Sequence, residues 1–309
     1  MKLACLMLSR GPRYNRHLWE TGLARHGWTA VDTPLNEPGP GDLLVVWNRI
    51  GAVDKIAARY QAGGAKVIVV ENGWCGRDKD GIVPYSAALD YHNGVGKWPV
   101  GKAGRWQRWN LAPKPWRREG DVLLTLPQRG IGEKPVGMTR GWEVSAAHRL
   151  ARLTERPVKN RPHPGGPVND RPEIDWTNIY AAVTWGSAAA VKALLAGVPV
   201  FYELEHWIGA PAARYGLDEI DTPYLGDREA MLDRLAWAQW DAEEIEKGEP
   251  VEWLVNSSTC ISSTRPVPVG LPKPSPKGSS WPAIAPGSSQ STSIAVTLRK
   301  SPKSPPSTD

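Results

Sequence analysis

Apolar runs of strand length recur through the first seventy residues, at Lys2–Leu8, Asp42–Trp47 and Lys66–Val70. Between them lie helix-like stretches at Arg16–Arg25 and Val53–Gln61. Such alternation predicts a Rossmann-like β/α layer domain. Its third run ends at Glu71-Asn72-Gly73, at the carboxyl edge where open α/β sheets bind ligands. Gly73 permits the close approach of a ligand there. A second layered unit begins at Asp121. Strand Val122–Leu126 runs into Pro127-Gln128-Arg129-Gly130, a helix follows near Trp142–Thr154, and strand Val158–Arg161 ends at His163-Pro164. Asp227–Glu246 reads as one long amphipathic helix with Leu232, Leu235, Ala236 and Gln239 on one face.

The clearest unit in the pattern is Ala181–Tyr202. Ala181–Thr184 is a short buried strand, Trp185-Gly186-Ser187 a tight turn and Ala188–Ala196 a strong helix former closed by Gly197. Val198–Tyr202 is a second buried strand. This is a βαβ crossover whose strands are expected to be parallel neighbours. Ser187 falls at or near the helix N-cap, where free N–H groups and the helix dipole attract an anion. His163 and Pro164 are expected to reach the same crevice, and together these residues predict a phosphate pocket. The competing reading is a serine that only caps and a histidine that only turns the chain.

Composition refines the picture. A length of 309 residues allows two domains, expected at 1–118 and 119–255. The net charge of +6 is unevenly spread. Residues 1–118 carry 18 Lys+Arg against 9 Asp+Glu, residues 119–255 carry 14 against 22, and the remainder carries 6 against 1. A basic first half keeps a polyanion such as DNA open as a partner, although opposite charge also helps two halves pack. Much of the basic character lies in 74–118, where periodicity is lost. There Trp98, Trp106, Trp109 and Trp116 interleave with Lys97, Lys102, Arg105, Arg108, Lys114, Arg117 and Arg118. Such a mixture suits bases, sugars and phosphates, or else a structured lid whose tryptophans bury against the first domain. Asp90, His92, Asn93 and Arg105 are candidates on the acceptor side.

Residues 256–309 hold 14 Ser and 10 Pro in 54 positions, a composition expected to be disordered. Cys5, Cys75 and Cys260 are scattered, which predicts neither a disulfide framework nor a metal site. Asp78-Lys79-Asp80-Gly81 lacks the rest of a calcium loop. No apolar run approaches 18 residues and no signal peptide is recognised, so a cytoplasmic location is expected. No GxGxxG follows the first strand, which argues against a nicotinamide enzyme.

The motifs ENGW, YHNGxGxWP, LPQRGIG, RPHPG, TWGSAAAVKALLAGVPVF and LAWAQWDAEEI follow one another from residue 71 to residue 245. In that order the chain resembles the capsule-polysaccharide glycosyltransferases that use CMP-linked Kdo, and especially their small bacteriophage-encoded relatives. The resemblance implies a GT-B architecture, two Rossmann-like domains facing across a cleft, with the nucleotide-sugar held mainly by the second. It assigns the cytidine-monophosphate grip to His163, Pro164 and the Gly186-Ser187 turn, and places Gln128 and Arg129 across the crevice. No cofactor is expected beyond the nucleotide-sugar, and the expected acceptor is a hydroxyl of a polysaccharide, a small molecule or a modified phage DNA base. The larger family members carry Glu-Asp-Gly where this chain has Glu71-Asn72-Gly73, and there the Asp stands at the anomeric carbon. Asn72 is a poor nucleophile; Glu71 can serve instead as a base or charge stabiliser, the competing reading being a buried, structural carboxyl. A catalytically inactive sugar-nucleotide-binding protein is the alternative reading.

Overall fold

A computed structural model of the chain describes residues 2–11, 14–91, 96–128, 137–163, 173–257 and the backbone of 260–262. Its organising feature is a pair of sheets, each built on parallel strands. The first contains β1 (Lys2–Met7), β2 (Trp28–Val31), β3 (Leu43–Trp47) and β4 (Lys66–Asn72), in spatial order β2-β1-β3-β4 and all parallel. Helices α1 (Arg16–Arg25) and α2 (Ala52–Ala62) supply crossovers. Leu6, Leu43, Val45, Ile68 and Val70 bury on one face with α1, and Cys5, Leu44, Val46, Val67 and Val69 on the other with α2. Two-sided burial explains why these strands read as continuous apolar runs rather than alternating ones.

The segment expected to lack periodicity supplies two antiparallel strands, β5 (Tyr85–Leu89) against β4 and β6 (Lys97–Pro99) against β5. Both are short, and β5 is an apolar run broken by Ser86, so neither gives a period to read.

The second sheet comprises β7 (Val122–Leu126), β8 (Val158–Asn160), β9 (Ile179–Thr184), β10 (Val200–Tyr202) and β11 (Arg214–Tyr215). It is parallel throughout in the order β11-β10-β9-β7-β8. Helix α3 (Trp142–Leu153) covers one face, while α4 (Ala188–Leu195) and α5 (Arg228–Trp237) cover the other. The β9–α4–β10 unit has the expected parallel pairing, Val200↔Ala182 through Tyr202↔Thr184.

Two expectations are corrected in the last part of the chain. The single helix Asp227–Glu246 is interrupted: β12 (Gln239–Trp240) pairs antiparallel with β5, and α6 (Ala242–Lys247) starts anew. The sequence contains the reason. Asp241 caps α6, accepting from the Glu244 N–H while the Glu244 side chain accepts from the Asp241 N–H. Fully buried Gln239 uses its amide on the backbone, accepting from the Trp74 N–H at 3.0 Å and donating to the Cys75 carbonyl at 2.9 Å. Residues from Gln239 onward therefore pack on the first sheet rather than on the second, with Trp240, Ile245, Val251 and Leu254 in the first sheet's core. Gly22 in α1 makes this possible, since a Cβ there would lie 2.2 Å from the Ile245 carbonyl oxygen. The two sheets accordingly fall within one compact unit. The second correction concerns 256–309: Cys260–Ser262 forms β13, antiparallel to β6, while 263–309 lies outside the described residues.

The Trp/basic segment largely serves this return. Arg105 donates to Glu244 at 2.5 Å and to the Gln239 carbonyl at 3.0 Å, among the rings of Trp109, Trp237 and Trp240. Arg108 pairs with both Asp241 and Glu244. Arg117 donates to the carbonyls of Trp176 and Thr177. These guanidinium groups are spent inside the protein, and nothing in them supports a DNA-binding face.

Candidate functional site

Trp74 carries the chain from the carboxyl end of β4 into the core of the second sheet. This residue follows β4 by two positions and packs in the same core cluster as Leu126, at the end of β7, and Leu204, just beyond β10. Glu71 is thus three residues from the second sheet's core.

On the first edge, Glu71 occupies the penultimate position of β4 and is half-buried. No hydrogen bond or ion pair from any described residue reaches its carboxylate, and burial alone pushes its pKa up to about 7. Asn72 ends the strand with an exposed side chain. The same end of the β3–β4 ladder holds a residue that the sequence pattern did not mark. Asn48 follows β3 directly, and its N–H donates to the Val70 carbonyl at 3.1 Å. That bond closes the Trp47↔Val70 pair, the last of the β3–β4 ladder, so Asn48 leaves β3 at the end of β4 that carries Glu71. Its backbone is left-handed, with φ 64°, and its Oδ1 is buried without a hydrogen-bond partner. Asn at a strand end is a turn residue by default, so only the third dimension marks it out. Two oxygen acceptors at one end of the β3–β4 ladder that no described residue satisfies are an invitation to a ligand rich in hydroxyl donors.

The second edge is built differently. Thr184 donates from Oγ1 to the Leu126 carbonyl at 2.9 Å and accepts from the Ser187 N–H at 2.9 Å, locking the turn. Ser187 is the N-cap of α4, as expected, and accepts from the Ala189 N–H at 3.2 Å. Gly186 is required by packing, because a Cβ there would meet Leu204 Cδ2 at 2.7 Å and Leu204 Cβ at 2.9 Å. Gln128 donates from Nε2 toward the Gly186 carbonyl at 3.4 Å, and its buried Oε1 has no hydrogen-bond partner. His163 lies on the same edge beyond β8 and is exposed. Strand β8 is two strands removed from β9, a separation of about 10 Å. Arg129 and Pro164 lie outside the described residues.

The acceptor-side candidates do not assemble with these groups. Asp90 follows β5, which runs antiparallel to β4, and its N–H donates to the Val67 carbonyl. That places it near the opposite end of β4 from Glu71, roughly 13 Å away along the strand. Its side chain accepts from Gln61 at 2.9 Å and pairs with Lys97 at 2.7 Å, so it is an anchor. Arg105 is the buried structural cation already described. His92 and Asn93 lie outside the described residues. Asp78 accepts from the N–H groups of Asp80 and Ile82, spending its carboxylate on a turn. Among the described residues no group of His, Cys, Asp and Glu is arranged to hold a metal, and no helix is long and apolar enough to cross a membrane.

No family model matches the chain. No curated protein matches it either. Among the solved structures that match is Thermosulfurimonas dismutans KpsC, a beta Kdo 2,7 transferase, at 11% identity and a TM-score of 0.47, covering 83% of this chain and 99% of that one. The likeness is distant, and the functional case rests on the residues themselves.

Proposed function

We propose that the protein is a GT-B-type glycosyltransferase that moves a sugar from a nucleotide donor onto a hydroxyl acceptor such as a glycan. The observation that carries this reading is Glu71, a half-buried carboxyl at the carboxyl end of β4 that no described residue pairs and that burial raises to about 7. A carboxyl titrating near neutral pH suits removal of a proton from an attacking hydroxyl. The same negative charge favours the oxocarbenium-like centre that forms as the donor bond breaks. The order of motifs from ENGW to TWGSAAAVKALLAG supports a CMP-linked, Kdo-like donor, with Ser187, Gly186, Gln128, Arg129, His163 and Pro164 on its phosphate and nucleotide side. No cofactor enters the scheme, and a cytoplasmic setting, where nucleotide-sugars are made, suits it.

Asn72 favours a second reading, a sugar-nucleotide-binding protein without turnover, because it puts a neutral amide where the resembled family has its acid. One experiment separates the two. A thermal-shift panel of CMP, UDP, ADP and GDP is followed by a donor-hydrolysis assay on CMP-sugars. Selective stabilisation by CMP, amounting to about 2.7 kcal/mol at a hundred times Kd, together with hydrolysis supports the transferase. Selective stabilisation without hydrolysis supports the binder, and no response to any nucleotide overturns both.

A further inference from the structure

The carboxyl edge of the first sheet carries three aromatic rings that the proposed chemistry does not use. Tyr14 lies in the loop after β1, Trp47 is the last residue of β3, and Tyr85 is the first of β5. Because β5 runs antiparallel to β4, its start stands at the same edge, paired with Asn72. The rings meet there. Trp47 stands perpendicular to both tyrosines, with its centroid 4.7 Å from Tyr14 at 88° and 6.3 Å from Tyr85 at 84°. Tyr85 is buried and roots the group in the first sheet's core, whereas Tyr14 and Trp47 are half-buried and keep part of their surface at the edge. Asparagines hold the arrangement. Asn15 is the N-cap of α1, yet its side chain does not cap the helix. With a left-handed backbone, φ 42°, it donates from Nδ2 to the Tyr85 hydroxyl at 2.8 Å and so ties the Tyr14 loop to β5. The stabilisation of a cap is forgone there, and left-handed backbone recurs directly after Trp47, at Asn48 with φ 64°. Costs of this sort concentrate at ligand sites.

The chemistry of the group selects its ligand. Tyr14, Asn15, Trp47, Asn72 and Tyr85 are all uncharged at neutral pH, so the cluster offers no counter-charge to an ionic group. A pyranose chair has C–H groups on its face and hydroxyls around its rim. An aromatic face is electronegative and attracts the C–H groups, while a carboxamide both donates to and accepts from hydroxyls. The half-buried rings supply the first, and the exposed side chain of Asn72 supplies the second. Perpendicular rings cannot sandwich a planar base between them. A chair set against one ring, however, leaves its hydroxyl rim to the amides. A sugar held beside Asn72 also lies at the strand end that carries Glu71, one position earlier.

We propose that Tyr14 and Trp47, backed by Tyr85 and flanked by Asn15 and Asn72, form a subsite for a neutral hexopyranose unit of a glycan. That this unit belongs to the acceptor rests on the transferase reading; the binding of sugar does not. Full-length protein titrated with methyl β-D-galactopyranoside and, separately, methyl β-D-glucopyranoside tests it by saturation-transfer difference NMR. Saturable binding of at least one glycoside is expected, with transfer strongest to the C–H protons of one sugar face. Kd is expected to weaken about 2- to 10-fold in Tyr14→Ala and at least as much in Trp47→Ala, which removes the ring that both tyrosines pack against. Tyr14→Phe, which keeps the ring, is expected to bind as wild type. Absence of saturable binding of both glycosides overturns the assignment, as does a wild-type Kd in either alanine variant. Equal losses in Tyr14→Phe and Tyr14→Ala overturn the stacking contact. Should Trp47→Ala fail to fold, Tyr14→Ala and Tyr14→Phe decide alone. Competitive displacement of the glycoside by CMP assigns the rings to a nucleobase and overturns the sugar subsite too. Ring-dependent glycoside binding without hydrolysis of CMP-sugars counts against the transferase reading alone. Hydrolysis with glycoside binding that ignores the rings counts against the subsite alone.

Discussion

The two carboxyl edges are made from the same kind of strand, and the turns that finish them differ. At the second edge the turn itself is self-satisfied, with Thr184, Ser187 and Gly186 using their groups on one another and on Leu126, Ala189 and Leu204, while Gln128 beside it keeps a buried Oε1 without a partner. At the first, Glu71 and Asn48, at the same end of the β3–β4 ladder, each keep oxygens that no described residue satisfies. A self-satisfied turn stabilises the fold and presents a fixed surface. An unsatisfied pair costs stability, and such cost concentrates where a ligand repays it. The contrast predicts that substitutions at the first edge raise stability and lower activity, while those at the second lower stability.

Glu71→Gln gives the largest effect. Donor turnover is expected to fall about 10²-fold or more, the scale of a positioned acid–base group, with nucleotide binding retained. Wild-type turnover should rise as pH passes through about 7, where Glu71 loses its proton. Stability carries the opposite sign. Folding raises this pKa, so the folded state holds the proton more tightly. The resulting stability is present in full below the unfolded value, near 4.3, and is lost as pH rises to about 7. Glu71→Gln should therefore be more stable than wild type at pH 8, by on the order of 2–3 kcal/mol, and lose that advantage near pH 4. Urea titrations at the two pH values check it. A variant destabilised at pH 8 means that Glu71 supports the fold, and the contrast between the edges collapses.

Gly186→Ala probes the second edge. Its new Cβ would press on Leu204 at both Cδ2 and Cβ, and Leu204 is buried in the core that Trp74 joins. Overpacking of this kind costs about 1–3 kcal/mol, measured as a lower urea midpoint at unchanged slope. Wild-type stability would show that the turn is loosely held and that the second edge is less rigid than its hydrogen bonds imply.

The parallel strands, the first two helices and the β9–α4–β10 unit were legible because two-sided burial leaves continuous apolar runs, and because Ser187 and Gly197 punctuate the helix. Strand β2 is four residues that the pattern did not separate from its surroundings. What the sequence concealed is the return of the chain. Gln239 looked like part of a helical face, yet its amide is fixed by Trp74 and Cys75, about 165 positions earlier. Arg105 and Asp90 looked functional because charge next to aromatic residues is ambiguous until its partners are known. The partners are Glu244 and Gln239 for one, Lys97 and Gln61 for the other. Conversely, Glu71 and Asn48 matter for the partners that no described residue supplies, and a missing partner leaves no trace in a sequence.

Asn48→Gly sharpens the first edge. Glycine accepts φ 64° without strain and removes the buried Oδ1. Relief of an unsatisfied acceptor is worth about 1–3 kcal/mol, offset by the extra chain entropy of glycine, roughly 0.5–1 kcal/mol. A net gain in melting temperature with a several-fold loss of turnover is expected. Loss of stability would show that Asn48 has a structural partner, and unchanged turnover would remove it from the crevice.

Ser187→Ala gives the smallest effect and decides what the second edge is for. The hydroxyl accepts from the Ala189 N–H at 3.2 Å, a long hydrogen bond, and losing a cap costs about 0.5–2 kcal/mol. If Ser187 only caps α4, the loss in stability is the same with and without CMP, because the folded protein binds nucleotide as before. If its O–H also donates to the donor phosphate, the stabilisation that CMP confers shrinks as well, since linkage reports any weakening of Kd directly. Thr184, which already fills its hydroxyl with Leu126 and Ser187, provides the control. Thr184→Val should destabilise the turn without a separate effect on CMP. A CMP response lost in Thr184→Val but kept in Ser187→Ala would mean that turn geometry, rather than the serine hydroxyl, carries the grip.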